Sequence, residues 1–126
     1  MIDVGNIPIA VAPKAASVAA SGTLVSGWFD SALYCAVHAL VGIGSGAGTP
    51  TLTFEQATAA AGTGAKALDA WSGGTFDTDR IEVTNQVAGL DVAGKFRWVR
   101  ATVTIAGGAG TVTSLTLLGL EPHQAD

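Results

Sequence analysis

The chain holds a single cysteine, Cys35, in 126 residues, so it can form no internal disulfide and its redox compartment stays open. Cys35 alternates with Leu33, Val37, Ala39 and Val41, which is the setting of a small buried hydrophobe rather than an activated thiol. Positive charge is also scarce. Six lysines and arginines face ten acids, for a net charge of −4. Nucleic-acid binders and polybasic membrane anchors both need a basic patch, so neither class fits. No apolar run approaches the ~20 residues of a spanning helix, and the N-terminus has no basic opening before an apolar stretch. A soluble protein made without export is the expectation. The partner set therefore excludes nucleic acid and membrane.

Histidine is scarce too, and that limits catalysis. Only His38 and His123 could serve as a neutral base, and there is no Gly-x-Ser-x-Gly elbow. His38 lies inside an apolar segment and reads as a packed or interface residue, while His123 lies near the C-terminus. Two histidines and one cysteine so far apart make a poor zinc set. The glycine loops at 42–46 and 62–66 lack the spacing of a phosphate loop: Lys66 follows Ala65 and is not succeeded by Ser or Thr. Asp77, Asp79 and Glu82 form the densest acidic cluster. Their spacing matches no EF-hand and Arg80 stands among them, so a solvated loop is the plainer reading and weak calcium binding the sharper one. No catalytic, cofactor-binding or metal residue is assigned, and the chain reads as a non-enzyme.

What the sequence has in quantity is glycine, threonine, alanine and valine. Hydrophobic residues make up 48% and aromatics 6%, so a core of many small side chains is expected. Short Val/Thr/Leu segments recur between Gly, Pro, Ser and Asp, the signature of an all-β sandwich or barrel. Strands are expected at 23–29, 33–43, 51–58, 78–85, 96–105 and 111–120, as part of a single antiparallel β-sandwich of about eight. Jelly-roll and immunoglobulin-like topologies both remain open. Segment 33–43 is apolar on both faces, so it should be central and covered on both sides. Ala59–Ala61 and 65–68 favour helix, but Gly62 and Gly64 interrupt them and a long hairpin loop is the better reading.

Three units follow: an extended arm at 1–20, the sandwich at 21–120 and a polar tail at 121–126. In the arm, Ile2, Val4, Ile7 and Ile9 have few local partners, and Pro8 and Pro13 confine it to an edge or to another surface. Such an arm could add a strand to a neighbour's sheet. Trp71 sits beside Ser72, Gly73 and Gly74, where no core is evident for it to enter. Trp98 alternates with Arg97 and Arg100, and Trp and Arg are enriched in interface hot spots. Ile2, Val4, Ile7, Ile9, Trp71, Trp98 and Arg100 are thus the candidate interface residues. Carbohydrate stacking on the indoles is an alternative of another class.

The stretch Gln56-Ala57-Thr58-Ala59-Ala60-Ala61-Gly62-Thr63-Gly64-Ala65-Lys66-Ala67-Leu68 resembles a segment of small structural proteins of tailed bacteriophages and gene-transfer particles. An apolar strand precedes it, and an acidic strand and one like Trp98-Val99-Arg100-Ala101-Thr102-Val103-Thr104 follow. The resemblance spans roughly residues 21–120 and brings no catalytic residues with it. It implies a β-sandwich module of the virion, made in the host cytoplasm. That module would be a capsid decoration (cement) protein, favoured as a homotrimer on the major capsid protein, or else a head-spike base or tail adaptor.

Overall fold

A computed structural model describes residues 9–10, 16–18, 22–32, 34–44, 46–77, 79–91 and 93–122, and in it the alternating segments pair into two antiparallel sheets. In chain order the strands are β1 (Ile9–Ala10), β2 (Ala16–Val18), β3 (Thr23–Val25), β4 (Phe29–Asp30), β5 (Tyr34–Ile43), β6 (Thr49–Ala57), β7 (Lys66–Ala67), β8 (Phe76–Asp77), β9 (Arg80–Gln86), β10 (Trp98–Ala106) and β11 (Gly110–Pro122). Several are pieces of one interrupted strand. β1 and β2 lie along the same edge of β11, and β3 and β4 along the same edge of β10. Joining each pair gives one sheet ordered β1/β2–β11–β5–β9 and another ordered β3/β4–β10–β6–β7, with β8 as a short extra edge. The chain changes sheet at every step except the β6–β7 hairpin and the β8–β9 hairpin. Eight strand positions in this order describe a jelly roll. The choice left open by the sequence is thereby made.

The inward faces follow the expected alternation. Val99, Ala101, Val103 and Ile105 of β10 meet Val37, Ala39 and Val41 of β5 across the gap, all essentially without solvent contact. Sheets stack about 10 Å apart, and side chains of valine and alanine size fill most of that layer. On β11 the phase changes: a bulge between Val112 and Ser114 lets Val112, Leu115 and Leu117 all point inward. β5 is central, as expected, but among the described residues only its inner face is covered by a second layer. On its outward face Ala36 is buried while His38 and Leu40 are half-exposed, sheltered by cross-strand neighbours such as Leu118 rather than by another layer.

Four buried polar side chains finish hydrogen bonding where strands break. Ser26 follows β3 at a one-residue shift in pairing with β10, and its hydroxyl accepts from the Ala101 amide at 2.9 Å in place of a backbone carbonyl. Ser31 donates its hydroxyl to the Arg97 carbonyl at 2.7 Å. Gln56 accepts from the Asp91 amide at 2.9 Å, and Asn85 both accepts from and donates to the Ser72 backbone at 2.8 and 2.9 Å. Among the described residues no buried side-chain nitrogen or oxygen lacks a partner. This is what a low-dielectric interior demands of polar groups.

Residues 68–75 carry the chain from one sheet to the other and close the open side of the sandwich. The Leu68 amide donates to the Phe54 carbonyl at 2.9 Å, and the Asn85 amide grips the chain four residues later. Gly73 passes directly against the Leu52 carbonyl, where any side chain would collide with backbone. The segment at 58–65 is a hairpin loop, as expected, without a helix. Its turn is closed by the Thr58 amide donating to Thr63 and the Gly62 amide donating to Ala59.

Ile9 and Ala10, within the segment expected to be an arm reaching a neighbour, pair with Leu118 and Leu117 of their own chain. The 13-residue β11 would otherwise present a long open edge, and an apolar extended segment of the same chain is the nearest partner for it. Ile2, Val4 and Ile7 lie outside the described residues.

Candidate functional site

The starts of β5 and β10 and the ends of β4, β6, β9 and β11 gather at one end of the sandwich. Pairing places Tyr34 opposite Pro122, Ala36 opposite Gln86, and Trp98 between Asp30 and Ala57. The Ser31 amide donates to Arg97 and the Tyr34 amide to Ser31, which ties the two sheets together here. Tyr34 stacks on Phe29 at 5.7 Å between ring centres. Its ring lies over Gly119, where a Cβ would come within 2.6 Å. Glycine is therefore required at position 119 for the ring to enter the core.

Trp98 and Arg100 face outward on β10, because Val99 and Ala101 on either side of Arg100 take the core face. Arg100 donates from Nε and Nη2 to Glu55 Oε1 at 3.0 and 2.6 Å, and its guanidinium lies 4.5 Å from the centre of the Trp28 ring. Gly62 brings the hairpin loop against the same indole, leaving room for no side chain at that position. One residue before Trp98, Arg97 donates from Nε to Asp30 Oδ1 at 2.9 Å and from Nη2 to Asp30 Oδ2, with its charge 5.8 Å from the Trp98 ring. Each arginine is thus matched by a carboxylate and held against an aromatic ring. The result is an aromatic face whose charges cancel in place, rather than a basic patch.

The hydrogen bonds from Arg97 hold the Asp30 carboxyl below the ordinary carboxylate range, against a smaller opposing effect of burial. Because folding lowers this pKa, its stabilisation is complete above the unfolded value near ~3.9 and disappears as pH falls through the folded value. Asp30→Asn should therefore cost stability at pH 7 and cost less at pH 3. Urea denaturation of both proteins at the two pH values measures that gap, and a gap equal at both would show that the pair is not the cause.

Trp71 is not a surface residue. It is 6% exposed, meets Phe54 edge-on at 5.1 Å, and donates Nε1–H to the Gln86 carbonyl at 3.0 Å. The core it enters is the gap between the sheets that residues 68–75 cross, which no local pattern reveals. The acidic cluster is likewise rearranged. Arg80 pairs with Glu82 at 3.3 Å and reaches Asp79 at 4.0 Å, and among the described residues no three His, Cys, Asp or Glu side chains stand together as a metal set.

His38 does have a hydroxyl beside it: Nδ1 lies 2.9 Å from Thr84 Oγ1, and Nε2 lies 3.7 Å from Glu82. These three stand on an outward sheet face where β5 and β9 use their amides in the ladder. Sequence reasoning missed Trp28, Glu55 and Asp30 as members of the aromatic face. Their grouping depends on cross-strand register, although opposite charges at outward positions of two strands, Glu55 and Arg100, were an available signal.

A further feature of this end is a cavity of about 530 Å³, lined mostly by apolar atoms, between the β4–β5 corner, the turn at Val87–Gly89 and Phe96. Cys35, half-buried, is on its wall. Compared with protein-family models, curated proteins and solved structures, the chain matches none.

Proposed function

We propose that this chain is a non-enzymatic structural protein of a bacteriophage virion, a decoration protein that binds the outer surface of the major capsid protein lattice and stabilises it. The observation that carries the reading is the outward face of β10, where Trp98 and Arg100 stand with Trp28 in a charge-balanced row. Trp and Arg dominate the energetics of protein interfaces, and neutralised arginines lower the cost of covering the face. A cement protein needs only a modest patch of this kind, because symmetry repeats each weak contact many times over the shell. A trimer on local three-fold axes is the assembly the reading favours. The jelly roll agrees with it but recurs among lectins and enzymes as well, so the fold adds little weight.

The same rings support a second reading, a carbohydrate-binding module, since the structure sets a carboxylate, Glu55, beside Trp28 and Arg100. Against it, one face of Trp28 is already covered by the guanidinium. Sugar-dependent quenching of tryptophan fluorescence would favour this alternative.

The deciding experiment counts copies of the chain in purified particles by quantitative mass spectrometry against the major capsid protein. A fixed simple ratio to the capsid subunit is the expected result. A few to some tens of copies would indicate a spike base or tail adaptor instead, and absence from the particle would remove the virion reading.

A further inference from the structure

The cavity of about 530 Å³ at the end of the sandwich lies within the range of small-molecule pockets, about 300–1,000 Å³. Its apolar walls come from Tyr34, Val87, Leu90 and Phe96, which belong to separate segments of the chain. Each segment is pinned by its own bonds. The Tyr34 amide donates to the Ser31 carbonyl at 3.1 Å, the Leu90 amide to Val87 at 3.0 Å and the Phe96 amide to Asp91 at 3.0 Å. Phe96 is further held by Lys66, whose ammonium lies 4.4 Å from the ring centre. Walls fixed in this way resist collapse, so the site is preformed.

The polar groups around the cavity define what it would accept. Arg97 stands at the rim with Nε and Nη2 both donating to Asp30, and the Ser31 hydroxyl is committed to the Arg97 carbonyl. Two polar side chains of the lining have no hydrogen-bond partner among the described residues, the Tyr34 hydroxyl and the Gln86 carboxamide. Burial and the nearby Asp30 carboxylate push the Tyr34 phenol above its ordinary pKa, so the hydroxyl stays a donor. A carboxylate guest would have to displace Asp30 from Arg97, whereas a neutral one leaves that pair intact. The rings of Tyr34 and Phe96 can meet an aromatic guest edge-on or offset. An apolar cavity of about 150 Å³ already takes up benzene. We propose that this cavity is a binding site for a small, neutral, fused-ring aromatic molecule whose single polar group lies against Tyr34 and Gln86. The site is separate from the aromatic face of β10, and the inference holds for any function of that face.

The probe is 2-naphthol, a fused aromatic system with one hydroxyl. Titration calorimetry with the full chain should give a dissociation constant of about 10–100 µM. 2-Naphthoate, the same rings with a carboxylate, should bind about tenfold more weakly. Tyr34→Phe should weaken 2-naphthol binding by about three- to tenfold, the loss of one hydrogen bond. Ala88→Trp should fill the cavity and abolish binding, with a thermal melt showing that the variant is folded. Cys35 on the wall gives an independent readout of location. With 2-naphthol at about ten times its dissociation constant, N-ethylmaleimide should label Cys35 about tenfold more slowly. No binding by the parent chain, tighter binding of 2-naphthoate, or unslowed labelling of Cys35 would overturn the proposal. So would parent-like affinity in Tyr34→Phe or in a folded Ala88→Trp. Loss of 2-naphthol binding in Trp98→Ala would also overturn it, by moving the site to the face of β10.

Discussion

Replacement of Trp71 by alanine is expected to destabilise the fold by about 3–5 kcal/mol, the range for truncating a large buried aromatic. Three losses combine. The indole fills the gap between the sheets, edge-on against Phe54 within the buried core. Its N–H also satisfies the Gln86 carbonyl, which lies at the end of β9, away from the Arg80 and Ile81 positions that β8 pairs. Finally, residues 68–75 lose an anchor that holds them across the open side, leaving the Leu68 amide bond to Phe54 and the Asn85 amide to hold that crossing. Small domains have only about 5–15 kcal/mol of stability to lose. Urea unfolding should show a sharply lower midpoint, with the slope preserved if the variant remains two-state. Trp71→Phe keeps the ring but not the donor, and should cost about 1–3 kcal/mol, the penalty of an unsatisfied carbonyl plus imperfect filling. Equal stability of Trp71→Ala and the parent chain would mean that the indole is not a core element in solution.

The same tryptophan shows where sequence reading stops. Strands β5, β6, β9, β10 and β11 were legible because alternation is a local property: Val99, Ala101, Val103 and Ile105 announce an inward face without reference to any other segment. What encloses that face is not local. Trp71 follows a run of small and polar residues, and only the passage of its loop between sheets gives it a core. The break between β3 and β4 was also hidden. Ser26-Gly27-Trp28 continues the pattern of a strand, and the inserted residue appears only once pairing with β10 is known.

Two polar residues could have been read better. Gln56 continues the inward phase of Leu52 and Phe54, and Asn85 that of Ile81 and Val83. An amide at an inward position near a strand end has to find backbone partners. Asn85 accepts from and donates to the Ser72 backbone, while Gln56 accepts from the Asp91 amide and donates to the Ala67 carbonyl. The candidate site was half legible for the same reason. Trp98 and Arg100 stood out by residue type and alternation, whereas Asp30, Glu55 and Trp28 join them through register alone.

On the proposed decoration role, Trp98→Ala is expected to weaken binding to particles stripped of this protein by about thirtyfold or more per site, the equivalent of a hot-spot loss near 2 kcal/mol. Its side chain is half-exposed and stands on the outward face, so the unfolding midpoint should move little. That separation of binding from stability is the useful property of the position. Arg100 lacks it. Arg100→Ala would strand the Glu55 carboxylate and uncover Trp28, so lost binding could follow from a disturbed sheet. Arg100→Lys is the sharper companion: it keeps the charge but loses the fork on Glu55 and the flat contact with the indole. If the face acts as a rigid, charge-balanced platform, the lysine variant should bind nearly as poorly as Trp98→Ala while unfolding close to the parent. Co-sedimentation with stripped particles at several salt concentrations measures both. Salt dependence should be slight, because the arginines are neutralised within the chain and bring little net charge to the contact. Parent-like binding by Trp98→Ala would move the contact off β10. A steep salt dependence would show instead that the arginines exchange their carboxylates for acids on the partner.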